Sequence, residues 1–187
     1  MHDAKCTIFV PGGNNPHKNA AMSALGADVV EAGHDFDAAM MAAERFARSE
    51  HARLVHPARE PALIAGVGTI ALEMLAEVGH LDALFLPVGG GSIAAGMAIV
   101  FSALSPHTRI YGVQSENAPA MHHAWHSGEE RPFAVTDTIA DGLAVRVPVD
   151  TTLNVLRSLL ESMLLVSEES IQEAIRCYAS TIHHMAE

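Results

Sequence analysis

The sequence predicts an α/β protein in which parallel sheets are flanked by helices. Three observations lead there. Apolar runs of strand length alternate with helix-patterned stretches along the whole chain, as expected of βαβ units with right-handed crossovers. A triple glycine and a serine, Gly89-Gly90-Gly91-Ser92, join an apolar run to a helical one. The composition is globular: 49% apolar, 18% charged and 5% aromatic over 187 residues, which excludes a disordered chain.

The elements follow in order. Lys5–Val10 reads as a strand that stops at Pro11-Gly12-Gly13. Asn15 suits an N-cap with Pro16 at the first helical position, Ala20, Ala21, Ala24 and Leu25 form an apolar stripe, and Gly26 ends the helix. Asp28–Ala32 is a second strand, Asp35 caps a helix to about Arg48, and Arg53–His56 reads as a third, short strand. Pro61 opens one long helix ending near Gly79, in which Gly66 and Gly68 each cost about 1 kcal/mol relative to alanine and so point to close backbone approach. Ala83–Val88 is apolar throughout and reads as a strand buried on both faces. Helix Ile93–Ser105, strand Arg109–Gln114 and a short helix over 118–126 come next. Residues 127–150 lack periodicity, and a loop that long is usually functional or anchored. Thr151–Met163 reads as an amphipathic helix, Leu164–Val166 as a strand, and Ser167 caps a helix that runs to the last residue. A seam near Pro57–Pro61 divides residues 1–56 from residues 57–187.

Charge and cysteine content narrow the function. There are 22 acidic and 11 basic residues, a formal charge of −11, and the only lysines are Lys5 and Lys18. Nucleic acid and anionic membranes are poor partners for such a chain, because phosphate arrays are bound by clustered Lys and Arg. The run Ile93–Leu104 is too short to span a bilayer, and the first 20 residues lack a signal peptide's apolar core, so the cytoplasm is the expected location. Cys6 and Cys177 form no CxxC and fit free thiols in a reducing compartment, each packed in the interior.

The strongest chemical signal is Pro87-Val88-Gly89-Gly90-Gly91-Ser92-Ile93, at the carboxyl end of a strand and the start of a helix. Glycines let the backbone approach an anion, and successive N–H groups can converge on one phosphate. A second reading takes Gly89, Gly91 and Ala94 as a GxGxxA dinucleotide turn. That motif wants an acid at the end of the next strand, where Gln114 stands, with Glu116 two residues on. His122 and His126, spaced i,i+4 with His123 between, could face a zinc ion, but no third ligand stands out, and a polar exposed helix is the simpler reading.

The segments HPAREPALIAGVGTIALEML, LFLPVGGGSIAAGMA, YGVQSENAPA and TIADGLAV, in this order and spacing, resemble threonine/serine dehydratases and serine racemase. These are fold-type II enzymes that use pyridoxal phosphate, with a tryptophan-synthase-beta-like fold. The resemblance covers essentially the whole chain and about the middle half of a family member, so the fold is expected to be incomplete, truncated at both ends. It implies that Gly89, Gly90, Gly91, Ser92 and Ile93 cradle the cofactor phosphate, with Ser92 where a fourth glycine is common, and that Gly142 lies beside the cofactor ring. It implies that residues 1–56 belong to a small substrate-closing domain, residues 57–187 to a large cofactor-binding domain, and His56 to a structural His-Pro pair. The activity implied is ammonia-lyase: a hydroxy amino acid loses its α-proton and β-hydroxyl as water, and hydrolysis of the resulting imine releases ammonia and a 2-oxo acid. Racemases share the same segments. A homo-oligomer is expected, and the apolar edges of an incomplete sheet, in a chain of mean hydropathy +0.20, favour association.

Family enzymes bind the cofactor through a Schiff-base lysine and hold the substrate carboxylate with a Ser-x-x-Asn-His-Gly stretch. Neither motif is present in this sequence, and Lys5 and Lys18 lie outside the family's lysine context. The chain alone is therefore expected to be inactive, with no catalytic residue of its own. Some racemase-like members carry a divalent metal on acids where this chain has Gln114 and Ala120, so no metal is expected there.

Overall fold

A computed structural model describes residues 4–134 and 136–186 and falls into two compact units, Met1–Val55 and His56–Glu187. In the first unit, β1 (Thr7–Val10) and β2 (Asp28–Glu31) pair in parallel, with Ile8 opposite Val29. Between them lies α1 (Pro16–Ala24), whose first turn is capped by Asn15 accepting from the His17 amide. α2 (Phe36–Ser49) follows, capped by Asp35 accepting from the Ala38 amide, and its Phe46 ring packs 5.4 Å from Phe9. The expected apolar stripe of α1 buries nothing, and Leu25 is 90% exposed. Arg53–His56 is not a strand: the sheet of this unit has two members, so a strand-like run without a ladder to join stays irregular, with Leu54 and Val55 exposed. Cys6 precedes β1 and is exposed, as is Cys177, so neither packs in a core.

The second unit contains α3 (Pro61–Val67), α4 (Thr69–Val78), β3 (Ala83–Pro87), α5 (Ser92–Leu104), β4 (Arg109–Ser115), α6 (Ala120–Ser127), α7 (Asp150–Leu159), β5 (Ser162–Val166) and α8 (Glu168–Thr181). The strands run β3-β4-β5, all parallel, with Leu86 opposite Gly112 and Gly112 opposite Met163. Side chains alternate along each strand. Leu84, Leu86, Ile110 and Met163 enter a core completed by Phe101 of α5 and by Leu153 and Leu156 of α7. The other face shows Phe85, 59% exposed and stacked on Tyr111 at 5.1 Å, beside the exposed Leu164. β3 is thus buried on one face, not two: an apolar run is compatible with either state, and only the helices that cover it decide. Met163 lies in β5, because the preceding helix ends at Leu159. α8 ends at Thr181, short of the chain terminus.

The expected single helix from Pro61 is two, broken at Gly68. Residues 61–78 have the length and mean hydropathy, 1.5, of a membrane span. Here they bend and pack on α5. A methyl group on Gly96 of α5 would lie 2.3 Å from the Ile64 carbonyl oxygen and 3.0 Å from the Gly68 nitrogen. One on Gly68 would lie 3.1 Å from the Gly96 carbonyl oxygen, whereas Gly66 has no neighbour within 4 Å. Of the two helix glycines, Gly68 alone serves close approach.

α6 is tied to its neighbours by main-chain acceptors: Trp125 Nε1 donates to Leu156 O at 3.3 Å and Arg157 to Ala124 O at 2.7 Å. His126 Nε2 meets Met163 O at 3.1 Å, and its ring centroid is 4.3 Å from that of His122. Burial, with His126 and His123 adding repulsion, holds the His122 pKa below its ordinary 6.5. The histidine cluster is part of the packing of α6.

Two outcomes follow from these contacts. Gly96→Ala forces main chain against main chain and should lower the urea unfolding free energy by about 1–3 kcal/mol, while Gly66→Ala, in open space, should raise it by about 0.5–1 kcal/mol. His122 is more easily protonated in the unfolded chain, so its contribution is complete above pH 6.5 and fades as pH falls below that value. A urea midpoint followed from neutral to acid pH should fall less steeply in His122→Asn than in the parent.

Candidate anion and cofactor site

β3 ends by passing the Val88 amide to the Val113 carbonyl at 2.8 Å, and the chain then leaves the sheet. Gly89 and Gly90 turn it, and Gly91 adopts φ +84°, a left-handed conformation that glycine takes without strain. α5 starts at Ser92, and the first amide of the helix to find an acceptor is that of Ala95, bonded to Gly91 O at 2.8 Å. Among the described residues, the amides of Gly89, Gly90, Gly91, Ser92, Ile93 and Ala94 have no hydrogen-bond partner. Gly89 and Gly91 are buried and Gly90 and Ser92 half-buried. A buried, unsatisfied N–H costs about 1–3 kcal/mol, so a run of them is stable only beside water or an anion. No acidic residue occupies the first turn of α5, which leaves the positive end of the helix dipole uncompensated.

The turn is held from four sides. Thr152 Oγ1 donates to Gly90 O at 2.6 Å, which engages that carbonyl. Methyl groups built on Gly91 would press on Leu156, Thr152 and Met121 at 3.0 to 3.2 Å, and one on Gly90 would meet the Ala58 Cβ at 3.2 Å. The His56 ring fixes the Ala58 segment by accepting from the Ala58 amide at 3.0 Å, a structural role. Gln114, fully buried, donates to Val88 O at 3.0 Å and accepts from the His122 amide at 2.9 Å. At this position the side chain braces two segments.

Gly142, in the 3-10 turn Asp141–Leu143, is exposed, and a methyl group on it would meet nothing within 4 Å. Its carbonyl oxygen lies 3.0 Å from the Cβ position of Gly89, so the turn borders the amide run directly. A tetrahedral anion at the amides and a flat ring in the open space before Gly142 suit these residues: the donors are neutral, consecutive and unspent. Gly89, Gly90, Gly91, Ser92, Ile93 and Gly142 therefore come together in one corner of the second unit. Sequence reasoning missed Thr152 and Ala58, which reach the turn from 62 and 32 positions away with no local motif to announce them. It also missed the carboxylate of Glu168, which accepts from the Ile139 amide at 2.9 Å, two residues before the Gly142 turn. Lys5 and Lys18 belong to the first unit.

Comparison with known proteins addresses the family and the fold. The L-threonine ammonia-lyase of Geobacter sulfurreducens is 39% identical over 169 residues, which are 90% of this chain and 42% of that protein. The processed form of threonine deaminase isoform 2 from Solanum lycopersicum superposes with a TM-score of 0.90 at 32% identity, over 99% of this chain and 51% of that one. Serine racemase from Dictyostelium discoideum gives 0.83 at 27% identity, over 98% and 58%. The chain thus spans about half the length of the relatives it matches. Its fold is that of these enzymes, parallel sheets flanked by helices. With the family model for pyridoxal-phosphate dependent enzymes matching residues 1–187, the chain belongs to that family.

Proposed function

We propose that the amides of Gly89 to Ile93 hold the phosphate of pyridoxal 5'-phosphate, and that the protein is part of a threonine/serine ammonia-lyase. The observation that carries this is the run of unpartnered amides at the carboxyl end of β3, where open parallel sheets bind ligands. When bound, the cofactor acts as an electron sink for the substrate α-carbon. The chain's own residues bind and orient: the amides neutralise the phosphate, Thr152 and Gln114 hold the turn, and Gly142 leaves room for the ring. Overall, threonine gives 2-oxobutanoate and ammonia: the water expelled in the elimination is taken up again when the released imine is hydrolysed. A lysine is absent from residues 56–187, so these residues supply cofactor binding without the covalent anchor or the base. Residues 1–56 are assigned to the small substrate-closing domain and 57–187 to the large cofactor domain. Association into a homo-oligomer would cover the apolar face of Phe85, Tyr111 and Leu164. A reducing cytoplasm would keep the exposed Cys6 and Cys177 as thiols.

Two alternatives are weaker. A dinucleotide site would use a free acid at the end of β4, but Gln114 is committed to Val88 and His122. An amino-acid racemase would share this cradle, and the higher identity to threonine ammonia-lyase favours the lyase.

Titration of the 187-residue chain with pyridoxal phosphate should show saturable binding that inorganic phosphate displaces. Ser92→Asp keeps a good first-turn residue for α5 but sets a negative charge against the phosphate. It should weaken binding about tenfold or more while leaving thermal stability unchanged or higher. Nucleotide binding without affinity for pyridoxal phosphate would instead favour the dinucleotide reading. Incubated with L-threonine and cofactor, the chain alone should form no 2-oxobutanoate; turnover that persists in Lys18→Ala would contradict the assignment of a binding portion.

A further inference from the structure

The long segment between α6 and α7 has little secondary structure, yet it delivers Gly142 to within contact of Gly89. Something must hold it there. Ala140 and Val145 are buried, Phe133 and Arg146 exchange a main-chain bond of 3.0 Å, and Asn117 Nδ2 donates to Asp137 O at 2.8 Å. Just before the Gly142 turn, the Ile139 amide is held from outside the segment by a carboxylate. Glu168, in the first turn of α8, accepts a hydrogen bond from the Ser115 hydroxyl on one oxygen and from the Ile139 amide on the other, the latter at 2.9 Å. Ser115, buried at the end of β4, in turn accepts from the Asn117 amide at 2.9 Å. One side chain therefore ties the last strand residue of β4, the start of α8 and the segment two residues before the Gly142 turn.

An acid at this place ordinarily serves the helix dipole, as Glu169 beside it can. Glu168 has both oxygens engaged by groups outside its helix. We propose that Glu168 is a positioning residue which, through Ser115 and the Ile139 amide, sets the Gly142 turn at the edge of the amide run, and so fixes the space in which the ring of the phosphate compound lies. The inference rests on the phosphate reading above for the identity of the ligand, but the clamp itself rests on the hydrogen bonds alone. Burial pushes the Glu168 pKa up; the bonds from Ser115, Ile139 and Thr138 outweigh it and hold the carboxyl below its usual value. The clamp is thus charged at neutral pH, and each bond to it is of the stronger, charge-assisted kind.

The clamp acts on the ring side and leaves the phosphate donors untouched, so two probes separate its role from general loosening. With the 187-residue chain, Glu168→Ala should reduce affinity for pyridoxal phosphate about tenfold while affinity for inorganic phosphate changes less than about twofold. Amide hydrogen exchange over residues 138–143 should quicken about tenfold or more in the same variant. Glu168→Gln can still accept from Ile139 and donate to Ser115, so it should recover most of both effects; Glu169→Ala should change neither. Equal losses for the two probes, or unchanged affinity for pyridoxal phosphate in Glu168→Ala, would overturn the proposal. A parent chain that takes neither probe would defeat the phosphate reading instead, and the exchange measurement would still judge the clamp, since unaltered exchange over 138–143 overturns it.

Discussion

The main-chain donors at the end of β3 are the constraint around which the second unit is organised. Six consecutive amides without partners are an expensive feature in a partly buried place. They persist because their neighbours leave the chain no other path. The left-handed Gly91 aims the turn, Thr152 removes the Gly90 carbonyl as a competitor, and buried side chains close in wherever a Cβ would stand. The arrangement is preorganised: an anion arriving there reorganises little, and the cost of exposing the donors has already been met by the packing of α5 and α7.

That packing depends on close approach between helices. α5 is buried along most of its length by small residues, Ala94, Ala95, Gly96 and Ala98, and crosses α3 where Gly68 and Gly96 bring their backbones together. The break at Gly68 lets a long apolar stretch follow α5. Gln114 carries the same logic into the sheet. A strand that ends in a buried amide side chain can hold Val88 and α6 at once, which an acid at that position could not do without accepting a proton.

Local chemistry was legible in the sequence and long-range partnership was not. Asn15, Asp35 and Ser167 cap helices as their residue types require, and the glycine turn after β3 lies where the pattern put it. Each of these depends on a few neighbouring residues. Arg53–His56 has strand composition without a partner strand, β3 is apolar on a face that no helix covers, and Cys6 lies one residue outside β1. In each case the deciding fact is what lies across from the residue in space. The site divides the same way. Its glycines are visible as a motif, whereas Thr152, Ala58 and Glu168 act on it from distant parts of the chain.

A cradle made of backbone amides recognises charge and shape, and any side chains that preserve the turn can surround it. The same fold is found in a threonine deaminase at 32% identity and in a serine racemase at 27%. An anion held by main-chain amides is read by atoms every residue possesses. What distinguishes reactions must then come from groups that face the reacting carbon, and from whatever fixes the ring in front of them. In this chain the second task falls to a turn with no regular secondary structure on either side, held by buried Ala140 and Val145 and, at Ile139, by a charged side chain. The binding frame is rigid because it is built into strands and helices; the ring side is set by Glu168. The two can therefore vary independently, one conserving the ligand and the other adjusting how it is presented.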